Sequence, residues 1–380
     1  MALPASLLVM TSSQRAGRLA AWIAGWQAAA VCLLLPISLP ARVAAGSAIA
    51  GLVAALSVRY HGRALPEWLT ARRRFRQRVR RGQRRPRIPI EAVVPGVDTR
   101  GHADRAGNRV GLLADGPAWT AVLRLDPIPD QPLVDRLRTL LDELAAVVGD
   151  DRLDVDAAQL LGWSVPATAA NPGPGSPPVL RTFWVAVRML PTLHPASVAA
   201  RGGGEQGEVR SAATAALRLA TRLRQRGYGL RVLDGSALTD ELGSSLGLAP
   251  PPRNRNGRPL PVPVRPPVPA ERWRWWSLGG LHHACFRVRR PPRQQARLAV
   301  MFGLLAKPPA VTTCVSVVFR RGGPAEGEVF VRVAVSADRD PRAVRAALRR
   351  AAAGLPGRLA PMHGEHLPGV RATIPLAATP

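Results

Sequence analysis

Two groups of side chains in this 380-residue chain could do chemistry by type and spacing. His363 and His366 stand three residues apart and could chelate a metal ion. No third or fourth ligand is evident, so a surface loop is the preferred interpretation. Asp98, His102 and Asp104 could form an acid–base set. Turn formation explains them equally well. Asp, Gly and Asn are common turn residues, and they recur in the surrounding stretch DTRGHADRAGNRVG.

Two further features favour structural roles. Gly202, Gly203 and Gly204 precede a predicted helix and could cradle phosphate, but no lysine adjoins them, so a flexible loop is preferred. His282 and His283 are neighbours on a predicted strand, so they face opposite sides and a packed role is expected. The sequence has no Walker A, Rossmann, G-x-S-x-G or H-E-x-x-H motif. The chain is therefore not itself a P-loop ATPase, and these patterns single out no catalytic, cofactor-binding or metal-binding residue.

The positive charge is concentrated near the N-terminus. Residues 1–87 hold 15 arginines and one acid, Glu67, which gives +14 of the net charge of +28. This charge invites a nucleic-acid interpretation, but the arginines lie beside apolar segments and no aromatic stacking platform accompanies them. The chain has three widely spaced cysteines, Cys32, Cys285 and Cys314. An odd number at such spacing argues against a disulfide scaffold and fits a reducing compartment.

Two uncharged segments predict a transmembrane hairpin over residues 19–58. Leu19–Leu39 has the length needed to span the hydrocarbon core, and Val43–Val58 is a shorter second segment. The turn is expected at Pro36–Arg42. Arginines are concentrated on both outer flanks of the hairpin. The positive-inside rule therefore places residues 1–18 and the chain after residue 58 on the cytoplasmic side of a bacterial inner membrane. The alternative is a cleaved signal peptide, disfavoured by the second apolar segment and the arginines after it.

A basic helix is predicted below the membrane, within a juxtamembrane region of residues 59–87. In LPEWLTARRRFRQRVRR, residues 65–81, five apolar residues share one face at helical spacing and are candidates for docking a partner subunit: Leu65, Trp68, Leu69, Phe75 and Val79. The arginines around them are candidates for contacts with anionic lipid headgroups: Arg72, Arg73, Arg74, Arg76, Arg78, Arg80 and Arg81. Specific nucleic-acid binding is not expected.

The remaining chain predicts a mixed α/β (α+β) cytoplasmic body in two halves, residues 88–248 and 273–380, separated by a proline-rich arm at residues 249–272. Strands are expected at Trp119–Leu125, Thr182–Leu190, Gly229–Leu233, Leu281–Arg289, Val311–Arg320, Val329–Ala337 and Val370–Pro375. Helices are expected over Leu133–Val148, Val209–Arg226, Ala237–Leu246 and from Pro341 to about Ala353. No convincing sequence repeat relates the two halves.

Several segments together resemble the EccE family of type VII secretion. They are the two apolar N-terminal segments, LPEWL at 65–69, and DTRGHADRAGNRVGLLADGPAWTAVLRLD at 98–126. Further on come WVAVRMLPTLHPASVAARGGG at 184–204, ERWRWWSLGGLHHACFRVRR at 271–290 and the late hairpin. The order and spacing of these segments carry the resemblance, since each motif alone is loose.

The resemblance implies a non-catalytic core subunit of the type VII secretion membrane complex, beside EccB-, EccC- and EccD-like subunits, with EccC supplying the ATPase activity. It implies no catalytic residue. Two other hypotheses remain open. One is a membrane-tethered enzyme or a protein that binds phosphate or a nucleotide sugar at the glycine loop. The other is a membrane-bound binder of lipid or nucleic acid that uses the arginine-rich flank.

Overall fold

The structure is a computed structural model. It describes residues 27, 38–57, 59–60, 63–81, 86, 88–127, 133–166, 179–248, 267–306, 310–339, 341–354 and 357–378. The chain divides into two compact units, Met1–Gln77 and Arg78–Pro380. The predicted N-terminal segment 1–18, nearly all of Leu19–Leu39 and most of the proline-rich arm lie outside the described residues.

The first unit contains helix α1 (Leu39–Ser57) and a short antiparallel ribbon of β1 (Arg59–Tyr60) and β2 (Arg63–Ala64). The second predicted apolar segment therefore begins earlier than expected, because Leu39 to Arg42 of the predicted turn are helical. Arg42 thus becomes part of α1. Among the described residues, no helix combines the length and the apolar character that crossing a bilayer requires. The predicted hairpin has no support in this part of the chain.

Helix α2 (Leu65–Arg81) has the bounds that the sequence predicted. It starts in the first unit and its last residues, from Arg78 onward, belong to the second unit. Pro66 lies in the first turn, where a missing backbone N–H costs nothing, and Glu67 follows where a negative charge favours a helix N-terminus.

The second unit is built on one twelve-stranded antiparallel sheet. Its strands are β3 (Asp98–Ala103), β4 (Arg109–Asp115), β5 (Ala118–Leu125), β6 (Ala157–Pro166), β7 (Val179–Met189), β8 (Leu230–Val232), β9 (Ala270–Glu271), β10 (Trp276–Leu278), β11 (Leu281–Arg289), β12 (Thr312–Arg320), β13 (Glu328–Ser336) and β14 (Arg358–Pro361). The main order is β3-β4-β5-β7-β6-β12-β13-β11-β10-β9, with β8 beside β5 and β14 beside β11.

The α-helices of this unit are α3 (Leu133–Gly149), α4 (Pro195–Ala199), α5 (Gly204–Gln225), α6 (Gly235–Ser245), α7 (Gln295–Leu305), α8 (Pro341–Ala352) and α9 (His366–Arg371). Short 3-10 helices lie at Pro89–Ala92 and Pro191–Leu193. The predicted mixed α+β class is confirmed for this unit. The predicted strand at Val370–Pro375 is wrong, since α9 ends there and an irregular buried segment follows.

The two halves share one topology. β5-α3-β6-β7-α5-β8 and β11-α7-β12-β13-α8-β14 each form a βαββαβ unit, with strand orders β8-β5-β7-β6 and β14-β11-β13-β12. Both orders are that of the ferredoxin-like split βαβ arrangement. A hairpin precedes each unit, β3-β4 in the first half and β9-β10 in the second. The body is therefore an internal duplication that the sequence did not reveal.

The halves join where β6 pairs with β12, antiparallel from Ala157↔Arg320 to Ser164↔Thr313. Both faces of the joined sheet are covered. Helices α3, α5, α7 and α8 pack on one face around one core, and the segment 89–92, α6, α9 and the C-terminal segment 372–378 pack on the other. Alternate residues of β12 and β13 therefore enter two different cores, and both strands are buried along almost their whole length.

Gln159 on β6 fastens the C-terminal segment across this junction. Its side-chain Nε2 donates to Ser316 Oγ on β12 at 2.8 Å and to Ala372 O at 3.0 Å. Its Oε1 accepts from the backbone N–H groups of Leu376 at 3.0 Å and Ala377 at 2.7 Å. Gln159 is fully buried. If its amide were removed, each of these four groups would lose a hydrogen bond at a place that water does not reach.

Asp115 makes a second link between the halves. The carboxylate at the end of β4 pairs with Arg188 of β7 at 2.8 Å and with Arg371 of α9. Burial alone would raise the pKa of Asp115, but the hydrogen bonds and charges of these two guanidinium groups lower it below the usual value. The carboxylate is therefore held ionised between two elements from opposite halves.

The first prediction concerns Gln159. Replacing it with Leu should lower the free energy of unfolding by about 3 kcal/mol, because backbone groups of the C-terminal segment lose their partners inside the protein. Gln225, exposed at the end of α5, is the matched control. Gln225→Leu should change stability by no more than about 0.5 kcal/mol. Denaturant unfolding measures both, and equal losses would contradict the role assigned to Gln159.

The second prediction uses two glycines of the helix-covered face. A Cβ on Gly162 of β6 would lie 2.6 Å from the ring of Phe302 on α7 and 3.1 Å from Phe183, whereas a Cβ on Gly303 meets nothing within 4 Å. Gly162→Ala should therefore destabilise the protein by about 1–3 kcal/mol through overpacking. Gly303→Ala should stabilise it by roughly 0.5–1 kcal/mol, since Ala favours a helix interior. Opposite shifts of the unfolding midpoint are expected.

Candidate functional site

Helix α2 carries all the residues that the sequence singled out for docking and lipid contact. Leu69 and Val79 are about half exposed, at 52% and 48%, and Leu65, Trp68 and Phe75 are partly buried. At about 100° per residue these five side chains fall within roughly a third of the helix circumference. The five side chains therefore share one side of α2, and their docking role stays a prediction.

The arginines of α2 surround this stripe. Five of them are exposed: Arg72, Arg73, Arg74, Arg76 and Arg80. The Arg72 guanidinium lies over the Trp68 ring, 4.9 Å from its centroid, which keeps that ring partly covered by a cation. Arg81 is the last helical residue.

Arg78 differs from the other arginines of α2. It forms a two-pronged ion pair with Glu271 of β9, with Nε to Oε2 at 3.0 Å and Nη2 to Oε1 at 2.8 Å. It also donates to the carbonyl of Gly364. The Glu271 side chain is almost fully buried. This guanidinium is therefore engaged inside the second unit, and its geometry is the bidentate one that Lys cannot reproduce.

Two backbone amides of the glycine loop, residues 202–204, form hydrogen bonds with nearby backbone carbonyls. Gly202, Gly203 and Gly204 all have positive φ, which explains three consecutive glycines at the junction of α4 with α5, whose first residue is Gly204. The Gly202 and Gly203 N–H groups donate to the carbonyls of Ala199 and Val198 at 3.1 and 3.0 Å. These two amides are committed to the loop's own structure and do not point to a phosphate.

The His363–His366 pair is not the surface loop expected from the sequence. His366 is 1% exposed at the start of α9, and its Nδ1 accepts the backbone N–H of Cys285 on β11 at 3.1 Å. The His363 ring contacts it edge-on, with centroids 5.9 Å apart. In the part of the chain that the structure describes, no three His, Cys, Asp or Glu side chains are grouped to hold a metal ion.

His282 and His283 face opposite sides of β11, as predicted. His282 stacks on Trp275 with centroids 5.2 Å apart, and His283 packs on Trp276 at 5.4 Å. His283 is fully buried beside the Arg332 guanidinium, so burial and that charge lower the pKa of His283 far below the usual value and keep the imidazole neutral. Both histidines have packing roles.

Arg332 is a buried arginine that the sequence did not indicate. It is 1% exposed in the middle of β13, between Cys285 on β11 and Cys314 on β12. Its guanidinium donates to the carbonyls of Ser245 and Thr373, the second at 3.2 Å, and to Cys314 Sγ at 3.1 Å. Both cysteines are unbridged thiols, and burial raises the pKa of Cys285 to about 12. Neither thiol can act as a nucleophile in this environment.

Asp98, His102 and Asp104 form no acid–base set. Asp98 pairs with Arg100 at 3.0 Å, and Asp104 caps a turn by accepting from the Asn108 backbone and side chain at 2.8 and 2.7 Å. These hydrogen bonds lower the pKa of Asp104. His102 and Asp104 line an open groove of about 470 Å³ against α5. Turn chemistry holds for residues 104–108, whereas Asp98 and His102 lie on strand β3.

A cluster around His194 was missed by the sequence analysis. His194 Nε2 lies 3.1 Å from the Asp156 carboxylate, and Nδ1 lies 3.3 Å from Asp154. Ser197 Oγ donates to Asp154 at 2.6 Å, so the hydroxyl does not contact the imidazole. That arrangement lacks the serine–histidine contact of a nucleophilic triad. The His194 cluster instead holds the segment 190–197 against the turn before β6.

One comparison with known proteins matches this region. Residues 178–288 match the family model described as "Putative type VII ESX secretion system translocon, EccE". The match covers less than a third of the chain, from β7 through α4, α5 and α6 to β11, and includes the stretch 184–204 and most of 271–290. It confirms the resemblance in this segment and supports a role as a component of a type VII secretion system. No curated protein matches the chain.

The third prediction concerns His194. His194→Gln should lower stability by about 1–3 kcal/mol, since one amide group cannot reach both Asp154 and Asp156 as the two ring nitrogens do. Hydrogen exchange should accelerate in residues 190–204, which the histidine holds. His102→Gln is the matched control and should stay within about 0.5 kcal/mol of the parent. Unchanged exchange in this segment would show that the imidazole does not hold it.

Proposed function

We propose that the chain is a non-catalytic structural subunit of a type VII (ESX-like) secretion complex of the bacterial inner membrane. In this role it supports assembly or stability of the protein-export channel, and the bulk of the chain faces the cytoplasm. The family match over residues 178–288 supports the component role. The chemistry of the described polar clusters supports a structural one, because their charged groups are committed to ion pairs and turns.

The single observation that carries the docking part is the half-exposed apolar stripe of α2. Leu69 and Val79 are large aliphatic side chains that remain about half exposed beside Trp68 and Phe75. Exposed apolar side chains clustered among charges are typical of interaction sites. We assign this stripe to a partner subunit of the EccB, EccC or EccD type.

The arginines of α2 have a separate role in this proposal. Arg72, Arg73, Arg74, Arg76 and Arg80 are exposed and act on anionic lipid headgroups as positive charges. Arg78 is set apart because its guanidinium is engaged with Glu271. No specific nucleic-acid partner, cofactor or metal is needed for this function.

The fourth prediction tests the docking stripe. Trp68→Ala with Phe75→Ala should strip the ATPase subunit from the complex during purification, because aromatic anchors at interfaces contribute about 2 kcal/mol or more each. The matched control is Arg73→Lys with Arg76→Lys, which keeps the charge and should leave co-purification unchanged. Circular dichroism and the unfolding midpoint check that both variants fold.

Two outcomes would contradict this assignment. One is full co-purification of the aromatic double variant. The other is loss of the subunit in the Arg-to-Lys variant, which would show that guanidinium geometry, and not the apolar stripe, makes the contact.

A further inference from the structure

The two halves of the duplicated body differ sharply in the charge of their equivalent helices. α3 and α5 of the first half mix arginines with acids: Asp135, Asp142 and Glu143 on α3, and Glu205 and Glu208 on α5. α7 and α8 of the second half contain no acid in their sequences QARLAVMFGLL and PRAVRAALRRAA. The shared fold does not require this difference, since both pairs of helices cover the same face of one sheet.

The outward surface of α7 is also unusually apolar. Leu298, Ala299, Met301, Phe302 and Leu305 enter the core. On the other side, Val300 and Leu304 remain exposed at 42% and 37%. They stand four residues apart and so share one face. A globular helix normally presents polar residues there.

Exposed arginines lie on the same two helices as these aliphatic side chains. Arg297 precedes Val300 by three residues and is exposed, and α8, which contacts α7, exposes Arg349 and Arg350 in its last turn. The only large side chain that α8 buries completely is Leu348 among its described residues. The outward surface of α7 and α8, called here the α7–α8 face, thus combines positive charge with shallow aliphatic groups.

We propose that the α7–α8 face lies against the headgroups of an anionic membrane. The arginines supply attraction to negative lipid, and Val300 and Leu304 enter the boundary between headgroups and acyl chains. A protein partner is disfavoured because the exposed residues of this face include no aromatic side chain, and Trp and Tyr are the residues that most often anchor protein interfaces. This inference does not depend on the docking role of α2.

The test uses the full chain with a fluorescent label at one exposed position. Leu304→Cys is labelled in a Cys32→Ser background, where Cys285 and Cys314 are fully buried. Vesicles contain either phosphatidylcholine alone or phosphatidylcholine with phosphatidylglycerol, each with brominated acyl chains as quencher. Ser236→Cys, exposed on α6 of the opposite face, is the control position.

With vesicles that contain phosphatidylglycerol, we expect the label at position 304 to be quenched and the label at position 236 to be quenched little. The quenching at position 304 should decrease as the salt concentration rises. Reversing Arg297, Arg349 and Arg350 to Glu should weaken this binding by roughly a hundredfold or more. The matched variant reverses Arg100, Arg105 and Arg109, which are exposed on the β3–β4 hairpin. It has the same net charge and should keep the quenching at position 304.

The proposal is overturned if position 304 is not quenched, or if positions 304 and 236 are quenched equally. A second test adds iodide, a water-soluble quencher, without vesicles. The proposal is also overturned if iodide does not quench the label at position 304 and if this shielding of the label increases with protein concentration. A second copy of the chain would then cover the face.

Discussion

The antiparallel pairing of β6 with β12 is the contact that makes one sheet from two βαββαβ halves. In each half these strands are the edge of the four-stranded unit, and an unpaired strand edge exposes a row of backbone donors and acceptors. Pairing the two edges removes both rows at once. It also lets α3 and α7 pack side by side on one face, where Phe302 reaches over Gly162 of the other half.

The second face of the sheet depends on the same junction. The segment after α6 reaches the second half, where Gly247 and Leu248 lie against Leu281 and Gly279. The segment after α9 reaches the first half, where Thr120 and Gln159 hold its backbone. Each half thus covers part of the other. Arg332 donates to the carbonyls of Ser245, the last residue of α6, and Thr373, so a charge buried in β13 links these two parts of the chain.

The elements that the sequence predicted well are those with a clear period. Residues 65–81 and Leu281–Arg289 have the predicted bounds, and the hairpin β12–β13 lies within a residue of its predicted limits. β6 and α7 were missed for a common reason. β6 is buried on both faces and α7 is apolar on both sides, so neither shows the polar alternation that marks a strand or a helix. β3 was missed because an exposed, polar edge strand resembles a turn region.

The duplication and most of the polar clusters could not be predicted, because they depend on contacts between residues far apart in the chain. Gln159 meets Ser316 and Ala377, and Asp115 meets Arg371. Nothing near these positions in the sequence marks them as partners. The α2 stripe could be predicted because its residues are local and periodic. Pairing β6 with β12 buries two strand edges, and long-range ion pairs such as Asp115 with Arg371 hold core elements together. Exposed apolar groups on α2 and α7 stand beside arginines, so any partner or surface that they meet is selected by charge as well as by shape.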